Sequence, residues 1–145
     1  MFKRILLPTD GSDLSIRAVN MGIALAARLD AQVFAFHVAA PFPTLTYFAE
    51  TPLESQDAYT AEAIANAERY LADVRQRANS AGIFCESGYE FDRRPYTAII
   101  GVAKKHMCDL IVMGTNSWQG FDRLMLGNET HKVTLNSDVP ILVCH

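Results

Sequence analysis

Two short polar segments, each directly after an apolar run, hold the residues best suited to chemistry. The first is residues 8–12, PTDGS, which follow the apolar residues 5–7. Here Asp10 supplies a carboxylate that can accept hydrogen bonds from a ribose or a base, and Gly11 permits a tight turn. Asp and Ser are also favoured as turn residues and helix caps, so a purely structural role is an equal alternative.

The second segment combines glycines with polar residues between a predicted strand and a predicted helix. Residues 113–120 read MGTNSWQG, and residues 127–130 read GNET. Backbone N–H groups in such a turn, and those at a helix N-terminus, attract phosphate. The generic phosphate-loop patterns GxxxxGK(S/T) and GxGxxG are absent from the chain. By itself, this segment is therefore only a weak indication of nucleotide binding.

Size and charge narrow the classes of function. The 145 residues carry a formal net charge of -3, and the 13 Lys and Arg residues are scattered along the chain. A chain of this length and composition is expected to fold as one domain, here residues 1–145, with a packed core. It lacks the basic surface that nucleic acids require, so we expect no nucleic-acid partner.

Metal and membrane patterns are also missing from the sequence. The 3 cysteines and 4 histidines form no CxxC or HExxH spacing, so we expect buried thiols rather than disulfides and no metal site. The N-terminal apolar run is too short for a signal peptide, and no run reaches the roughly 18 residues of a membrane span. The sequence therefore predicts a cytoplasmic protein without membrane contact.

The elements that must position the polar segments follow from hydrophobic periodicity. Short apolar runs predict strands over residues 5–7, 32–38, 83–89, 109–113 and 139–143. Apolar residues at intervals of three and four predict helices over residues 13–29, about 54–78, 93–103 and 130–135. Strands that alternate with helices form parallel βαβ units, which predicts an α/β fold with helices on both faces of the sheet. Ligands of such sheets bind at the carboxyl ends of the strands, where both polar segments lie.

Four segments resemble those of the universal stress protein family: residues 5–12, 36–38, 108–115 and 139–144. The resemblance extends over essentially the whole chain, and DLIVMG at residues 109–114 is its most distinctive part. It implies a single-domain, Rossmann-like, open five-stranded parallel sheet in the order 3-2-1-4-5 with four helices. Strands one and four would then be neighbours, and Asp10 and Gly114 would face one crevice.

The resemblance also implies a nucleotide site with an altered phosphate loop. In ATP-binding members, the loop after strand four contains three spaced glycines, the last followed by Ser or Thr. Gly114 and Gly127 match the first and third glycines, whereas Ser117 replaces the second and Asn128 replaces the hydroxyl residue.

The rest of the implied site comes from other segments. By the same likeness, residues 8–10 would lie near the ribose, Val38 near the adenine and Met113 beside the sugar. The implied nucleotide-binding set is Pro8, Thr9, Asp10, Val38, Met113, Gly114, Ser117, Gly127, Asn128, Glu129 and Thr130.

The departures from the family pattern have physical consequences for the phosphates. A Cβ at Ser117 could narrow the loop where a phosphate approaches the backbone. Asn128 is a good N-cap that could itself satisfy the helix N–H groups. Glu129 in the first helical turn gains about 0.3 to 1 kcal/mol from the helix dipole but would repel a polyphosphate in the same place. ATP is therefore expected to bind weakly.

These expectations define a leading hypothesis and its rivals. The leading one is a small stress-response protein that binds an adenine nucleotide, ATP or AMP with Mg, and has no catalytic residues. One alternative is a dimeric regulatory protein that binds no nucleotide and acts on an unknown protein partner. An ATP-dependent adenylating enzyme is less favoured: residues 10–15, DGSDLS, superficially resemble the SGGxDS loop of pyrophosphate-releasing ATPases but lack its paired glycines. A phospho-acceptor receiver domain would need an Asp at the end of strand three, which is absent.

Three surface features have open interpretations. Trp118 either anchors a partner or packs on the adjacent helix. The loop over residues 41–51, which contains Phe42, either covers the adenine end of the crevice or packs over the sheet edge. The last strand, if it forms an edge, needs protection, and pairing with a second copy would supply it. Because family members commonly dimerise in that region, we expect a homodimer through the C-terminal strand.

Overall fold

Five strands and four helices alternate along the part of the chain that the computed structural model describes, which is residues 1–42, 53–115 and 128–145. The strands are β1 (Arg4–Pro8), β2 (Gln32–Ala39), β3 (Cys85–Phe91), β4 (Leu110–Gly114) and β5 (Ile141–Cys144). The helices are α1 (Asp13–Leu29), α2 (Leu53–Ser80), α3 (Pro95–Lys105) and α4 (Glu129–Asn136). Every predicted element is present, and the differences lie at their ends.

The start of β3 shows why one boundary prediction was wrong. The strand was expected from residue 83, but it begins at Cys85 because the preceding helix is closed by a glycine turn. Gly82 has a φ of 73°, and the N–H of Ile83 donates to the Ala78 carbonyl at 2.9 Å. This is the bond that ends a helix when a left-handed glycine follows it. Ile83 is therefore still part of the α2 terminus.

The five strands form one parallel sheet in the order β3-β2-β1-β4-β5, which confirms the order that the resemblance implied. β1 pairs with β2 on one side and with β4 on the other, where Ile5 is opposite Leu110. The chain therefore runs from β1 outward to β3, crosses back to β4 and continues to β5. The direction of winding changes between β1 and β4, which is where open parallel sheets bind ligands.

Helices cover both faces of the sheet, as predicted, because successive residues of the central strands face opposite sides. Leu7 packs with the buried residues of α1 and α2, whereas Leu6 packs with those of α3 and α4. Both leucines are fully buried. Burial of each such side chain contributes about 1.5 to 3 kcal/mol. Two cores of this kind hold the strand ends in fixed positions.

Helix α2 is only partly embedded in its core. Leu71, Val74 and Ala78 of its second half are buried against the sheet. Tyr59 and Ala63 of the first half continue the predicted apolar stripe but remain half-buried. The first half of α2 therefore extends along the carboxyl ends of the strands and leaves space beneath it.

Candidate functional site

The turn after β1 is built from bonds between its own side chains and backbone. The N–H of Thr9 donates to the Phe36 carbonyl at 2.8 Å, which extends the pairing of β1 with β2. The buried Thr9 hydroxyl accepts from the Gly11 N–H at 3.2 Å and lies 3.1 Å from the Ser15 hydroxyl. Gly11 has a φ of 79°, a conformation that favours glycine. This segment is therefore rigidly placed.

Asp10 has the structural role that was one of its two interpretations. Its Oδ1 accepts from the Ser12 N–H at 3.0 Å and from the Ser12 hydroxyl at 2.5 Å. Ser12 in turn caps α1 by accepting from the Ser15 N–H at 3.2 Å. Asp10 also lines the cavity described below, so the turn role and a ligand role are compatible.

The ends of β1 and β4 lie side by side, as the family resemblance implied. Leu14 at the start of α1 packs over Gly114, where an added Cβ would lie 2.9 Å from Leu14 Cγ and 3.1 Å from its carbonyl oxygen. Thr130 of α4 donates its hydroxyl to the Gly114 carbonyl at 2.6 Å. Met113 is fully buried among the residues beneath α3 and α4. The glycine thus permits two helices to meet at the end of β4.

Asn128 caps α4 in the way that the sequence suggested. Its side-chain oxygen accepts from the backbone N–H groups of Thr130 at 3.0 Å and His131 at 3.4 Å. These first-turn N–H groups are the ones that a phosphate at a helix N-terminus would use. The residue that replaces a hydroxyl in the family pattern therefore occupies two donors itself.

Glu129 lies in the first turn of α4, as predicted, but its side chain is turned toward α3. Only 1% of it is exposed, and its Oε2 accepts from the Tyr96 N–H of α3 at 2.9 Å. Its Oε1 forms an ion pair with the Lys132 ammonium at 3.5 Å and accepts no hydrogen bond from the described part of the chain. Because the N-cap residue of α3, Arg94, makes no side-chain cap, the Glu129 carboxylate stabilises the positive end of that helix instead.

A cavity of about 390 Å³ lies beneath α2 at the carboxyl ends of β1 and β2. It is lined by Asp10, His37, Val38, Ala39, Ala40, Tyr59, Glu62, Ala63, Asn66 and Tyr70. A volume of this size suits a small ligand. The cavity brings together Asp10 and Val38, which the resemblance assigned to the ribose and the adenine.

His37 is held as a neutral ring at the side of this cavity. Its Nδ1 is 2.7 Å from the Thr9 carbonyl oxygen. Since a carbonyl only accepts, Nδ1 carries the proton and Nε2 is left as an acceptor. Burial lowers the pKa of His37, while the bond to Thr9 and the charge of Asp10 oppose that shift less strongly. The ring is therefore uncharged at neutral pH.

Helix α2 contributes cavity residues that sequence reasoning missed. Glu62, Asn66 and Tyr70 recur every four residues, beside the predicted apolar stripe, and so share one face of the helix. The Tyr70 ring makes an edge contact with His37, with centroids 5.2 Å apart, and a Cβ at Gly11 would overlap it. The sequence did contain a signal for these cavity residues, namely polar side chains at helical spacing next to an apolar stripe.

Some predictions concern residues outside the described ranges. Ser117, Trp118 and Gly127 lie in residues 116–127, and most of the loop over 41–51 lies in residues 43–52. Phe42 is described, and its ring packs edge-on against Tyr59 with centroids 5.4 Å apart. Phe42 is thus in contact with a residue that lines the cavity.

Other chemistry is limited in the described part of the chain. No group of three His, Cys, Asp or Glu side chains there could hold a metal ion. Cys108 is buried, whereas Cys85 and Cys144 are half-buried. Burial raises the pKa of each thiol, and it raises that of Cys108 to about 11.

Within the described ranges, every helix is too short or too polar to cross a membrane.

Known proteins were compared with this chain. The sequence model of the universal stress protein family matches residues 1–145. The universal stress protein MJ0531 of Methanocaldococcus jannaschii is 32% identical, over 99% of this chain and 82% of that protein. The solved structure of the hypothetical protein MJ0577 shares the fold, with a TM-score of 0.78, 22% identity and coverage of 99% and 96% of the two chains. A universal stress protein solved in complex with cAMP is 26% identical, with a TM-score of 0.71 and coverage of 99% and 97%.

Proposed function

This chain belongs to the universal stress protein family, and from that premise we propose that it binds an adenine nucleotide with a single phosphate in preference to ATP. In this proposal the protein is a stress-response binding module without turnover of its ligand. Asp10 contacts the ribose and Val38 the adenine, and both line the cavity. Pro8, Thr9, Met113 and Gly114, which the resemblance placed beside the sugar, are buried and do not line it, so in this proposal they support the site from beneath.

The observation that carries the proposal is the shared cavity of Asp10 and Val38. The two residues belong to different strand ends, and the family resemblance assigned one to the ribose and the other to the adenine. In the structure both line one cavity of about 390 Å³ on the β2 side of β1, and its lining includes no described residue of β4 or α4. The cavity therefore lies beside the β1–β4 switch point, where open parallel sheets bind ligands. The related protein solved with cAMP supports a ligand of the same class.

The start of α4 supports a single phosphate rather than three. Asn128 accepts from the Thr130 and His131 N–H groups, and the Thr130 hydroxyl donates to Gly114. A triphosphate that used these donors would have to displace the cap, which costs about 1 kcal/mol. Ser117 and Gly127 remain predicted members of the site. Magnesium has no role in binding a single phosphate in this proposal.

Absence of turnover is part of the proposal. Asp10 already accepts two hydrogen bonds within its own turn. A general base needs to reach the proton that it removes. The adenylating enzyme and the receiver domain are therefore not favoured by the described site.

The test is direct measurement of bound and added ligands. Freshly purified protein is denatured, its supernatant is chromatographed for nucleotides, and the protein is titrated calorimetrically with AMP, cAMP and ATP, with and without Mg²⁺. We expect AMP or cAMP to bind about fivefold more tightly than ATP, the ratio that corresponds to a cap worth about 1 kcal/mol. Tighter binding of ATP would contradict the proposal, and pyrophosphate release or a stable phosphoprotein would favour the enzyme or the receiver.

A second candidate role, dimerisation, has its own observation. Strand β5 is an edge of the sheet, and Leu142 on it is 38% exposed while Leu135 on the adjacent α4 is 68% exposed. An edge with exposed apolar residues is readily paired by a second copy. We expect sedimentation to report a dimer that Leu142→Lys dissociates and that Met21→Lys, on exposed α1, leaves intact. A monomeric unmodified chain would contradict this role.

Location in the cytoplasm is also proposed. The support is chemical, since the cysteines of the described structure are free thiols. Free thiols are usual in reducing compartments.

A further inference from the structure

The first half of α2 presents a polar wall to the cavity. Tyr59, Glu62, Asn66 and Tyr70 all line it and lie on one face of the helix. These polar residues lie beside the apolar stripe of the helix, which continues to Leu71, Val74 and Ala78 and is buried in the second half. In the first half, Tyr59 and Ala63 of the stripe also line the cavity. The wall that α2 gives to the cavity is therefore partly apolar and partly polar.

The cavity wall is rich in hydrogen-bond acceptors. Glu62 and Asp10 contribute carboxylates, and the described residues that line the cavity include no Lys or Arg. His37 adds the Nε2 acceptor, because Nδ1 is committed to the Thr9 carbonyl at 2.7 Å. The Tyr59 hydroxyl donates to the Ala40 carbonyl at 2.9 Å, so its proton is used within the protein. Asn66 and Tyr70 can each donate as well as accept, so acceptors predominate on this wall and a ligand edge with N–H donors suits it.

Resting on the proposed function, we infer that Glu62 and His37 select a 6-aminopurine over a 6-oxopurine, with the base held under α2. The exocyclic amino group of adenine donates two hydrogen bonds, which match acceptors on the wall. A 6-oxopurine presents a carbonyl at the same position, so acceptor would face acceptor, and the buried His37 would lose the partner of its Nε2. Glu62 and His37 thereby determine which base is bound.

The aromatic rings that line the cavity orient the plane of the bound base. Tyr70 is held between His37 and Gly11, with its centroid 5.2 Å from that of His37. Tyr59 is supported from outside by Phe42. Aromatic side chains held in this way offer flat apolar surface to a purine. Apolar contact does not distinguish the two purines, so the discrimination falls to the acceptors.

The experiment compares AMP with IMP, which carry the same ribose and phosphate. Calorimetric titration of the full chain is expected to show AMP binding about tenfold or more tightly than IMP, the value of one well-formed bond gained against one lost. Glu62→Gln replaces an acceptor-only group with an amide that can also donate, so the ratio is expected to fall about threefold or more. His37→Asn keeps a donor for Thr9 and removes the Nε2 acceptor, and should lower the ratio as well.

Glu68→Gln is the matched control, since Glu68 is an exposed glutamate of the same helix that does not line the cavity. It should leave the ratio unchanged. Equal binding of AMP and IMP by the unmodified chain, or a ratio that Glu62→Gln does not lower, would overturn the selection by α2 while leaving the nucleotide site in place. If no adenine nucleotide binds at all, the proposed function itself fails, and this inference fails with it. Glu62 is exposed, so its variant is expected to fold, which circular dichroism checks.

Discussion

The two sides of the crevice use their polar groups differently. On the β2 side, the cavity is lined by polar side chains from α2 and by the acceptor of His37. On the β4 side, the groups that a phosphate would use are bonded within the protein, through Asn128 and Thr130. Glu129, next to them, is turned toward α3. The comparison teaches that one fold can leave acceptor groups facing a cavity at one strand end while its own side chains occupy the helix N–H groups at the neighbouring end.

The largest effect should come from a substitution on the β4 side of the crevice, at Gly114. Gly114→Val would bring a branched side chain against the backbone and side chain of Leu14. We expect a loss of about 1 to 3 kcal/mol of unfolding free energy from overpacking, together with loss of nucleotide binding. Urea denaturation measures the first and calorimetry the second.

Gly101 supplies a control for the glycine effect. It lies inside α3, and an added Cβ there would meet nothing within 4 Å. Gly101→Ala should raise the unfolding free energy by about 0.5 to 1 kcal/mol. Equal destabilisation at both glycines would show that close packing on β4 is not the cause.

A second prediction concerns the β4 side, where Asn128 occupies the backbone N–H groups that a phosphate would use. Asn128→Ser restores the hydroxyl of the family pattern at the N-cap, on a shorter side chain than the amide that accepts from both Thr130 and His131. ATP affinity should rise about threefold to tenfold, the value of one hydrogen-bond donor returned to the ligand, while AMP affinity changes little. Asn136→Ser at the other end of α4 should change neither. An ATP affinity that is unaltered in Asn128→Ser would place the barrier elsewhere in the loop.

A third prediction concerns Glu129, whose carboxylate joins α4 to α3 on the β4 side of the crevice. Glu129→Gln keeps an acceptor for the Tyr96 N–H but removes the charge at the N-terminus of α3. The unfolding free energy should fall by about 1 kcal/mol, since the charge is buried near the helix dipole. The AMP to IMP ratio should stay constant because the substitution lies on the other side of the crevice. A changed ratio would mean that the two sides are coupled.

The smallest effect should be a pH dependence of the unfolding free energy that comes from His37, on the β2 side of the crevice. The pKa of His37 is lowered from 6.5 by burial, so the unfolded chain binds the proton more readily than the folded one. The stability that this supplies is complete above the unfolded value and is lost as pH falls through the folded pKa. The charged or titratable groups around His37 are Asp10 from the β1 turn, Glu62 and Tyr70 from α2, and Tyr89 opposite it on β3.

Protonation would also turn the Nε2 acceptor into a donor, so the AMP to IMP ratio should fall in the same pH range. Parallel titrations of the unmodified chain and of His37→Asn from about pH 8 to about pH 5 check this, because the variant lacks the group. A ratio that falls equally in both would assign the effect to a carboxylate instead.

The elements themselves were predictable from the sequence because their periodicity is local. The strand ending at Pro8 and the helix from Asp13 follow from neighbouring residues, and Asn128 was recognised as a cap from its position alone. The order of the strands came from the family resemblance and not from periodicity. The polar face of α2 was missed because its four-residue spacing has meaning only once the helix is known to extend along the strand ends.

Chain sequence alone determined that Asp10 follows a buried strand and that Glu129 stands in the first turn of a helix. Only the tertiary structure decided what these carboxylates contact. Glu129 bonds to the backbone of Tyr96, 33 residues away in the chain, and the bond exists because α3 and α4 converge over the sheet. The direction of a side chain depends on which distant element packs beside it, and no local pattern encodes that neighbour.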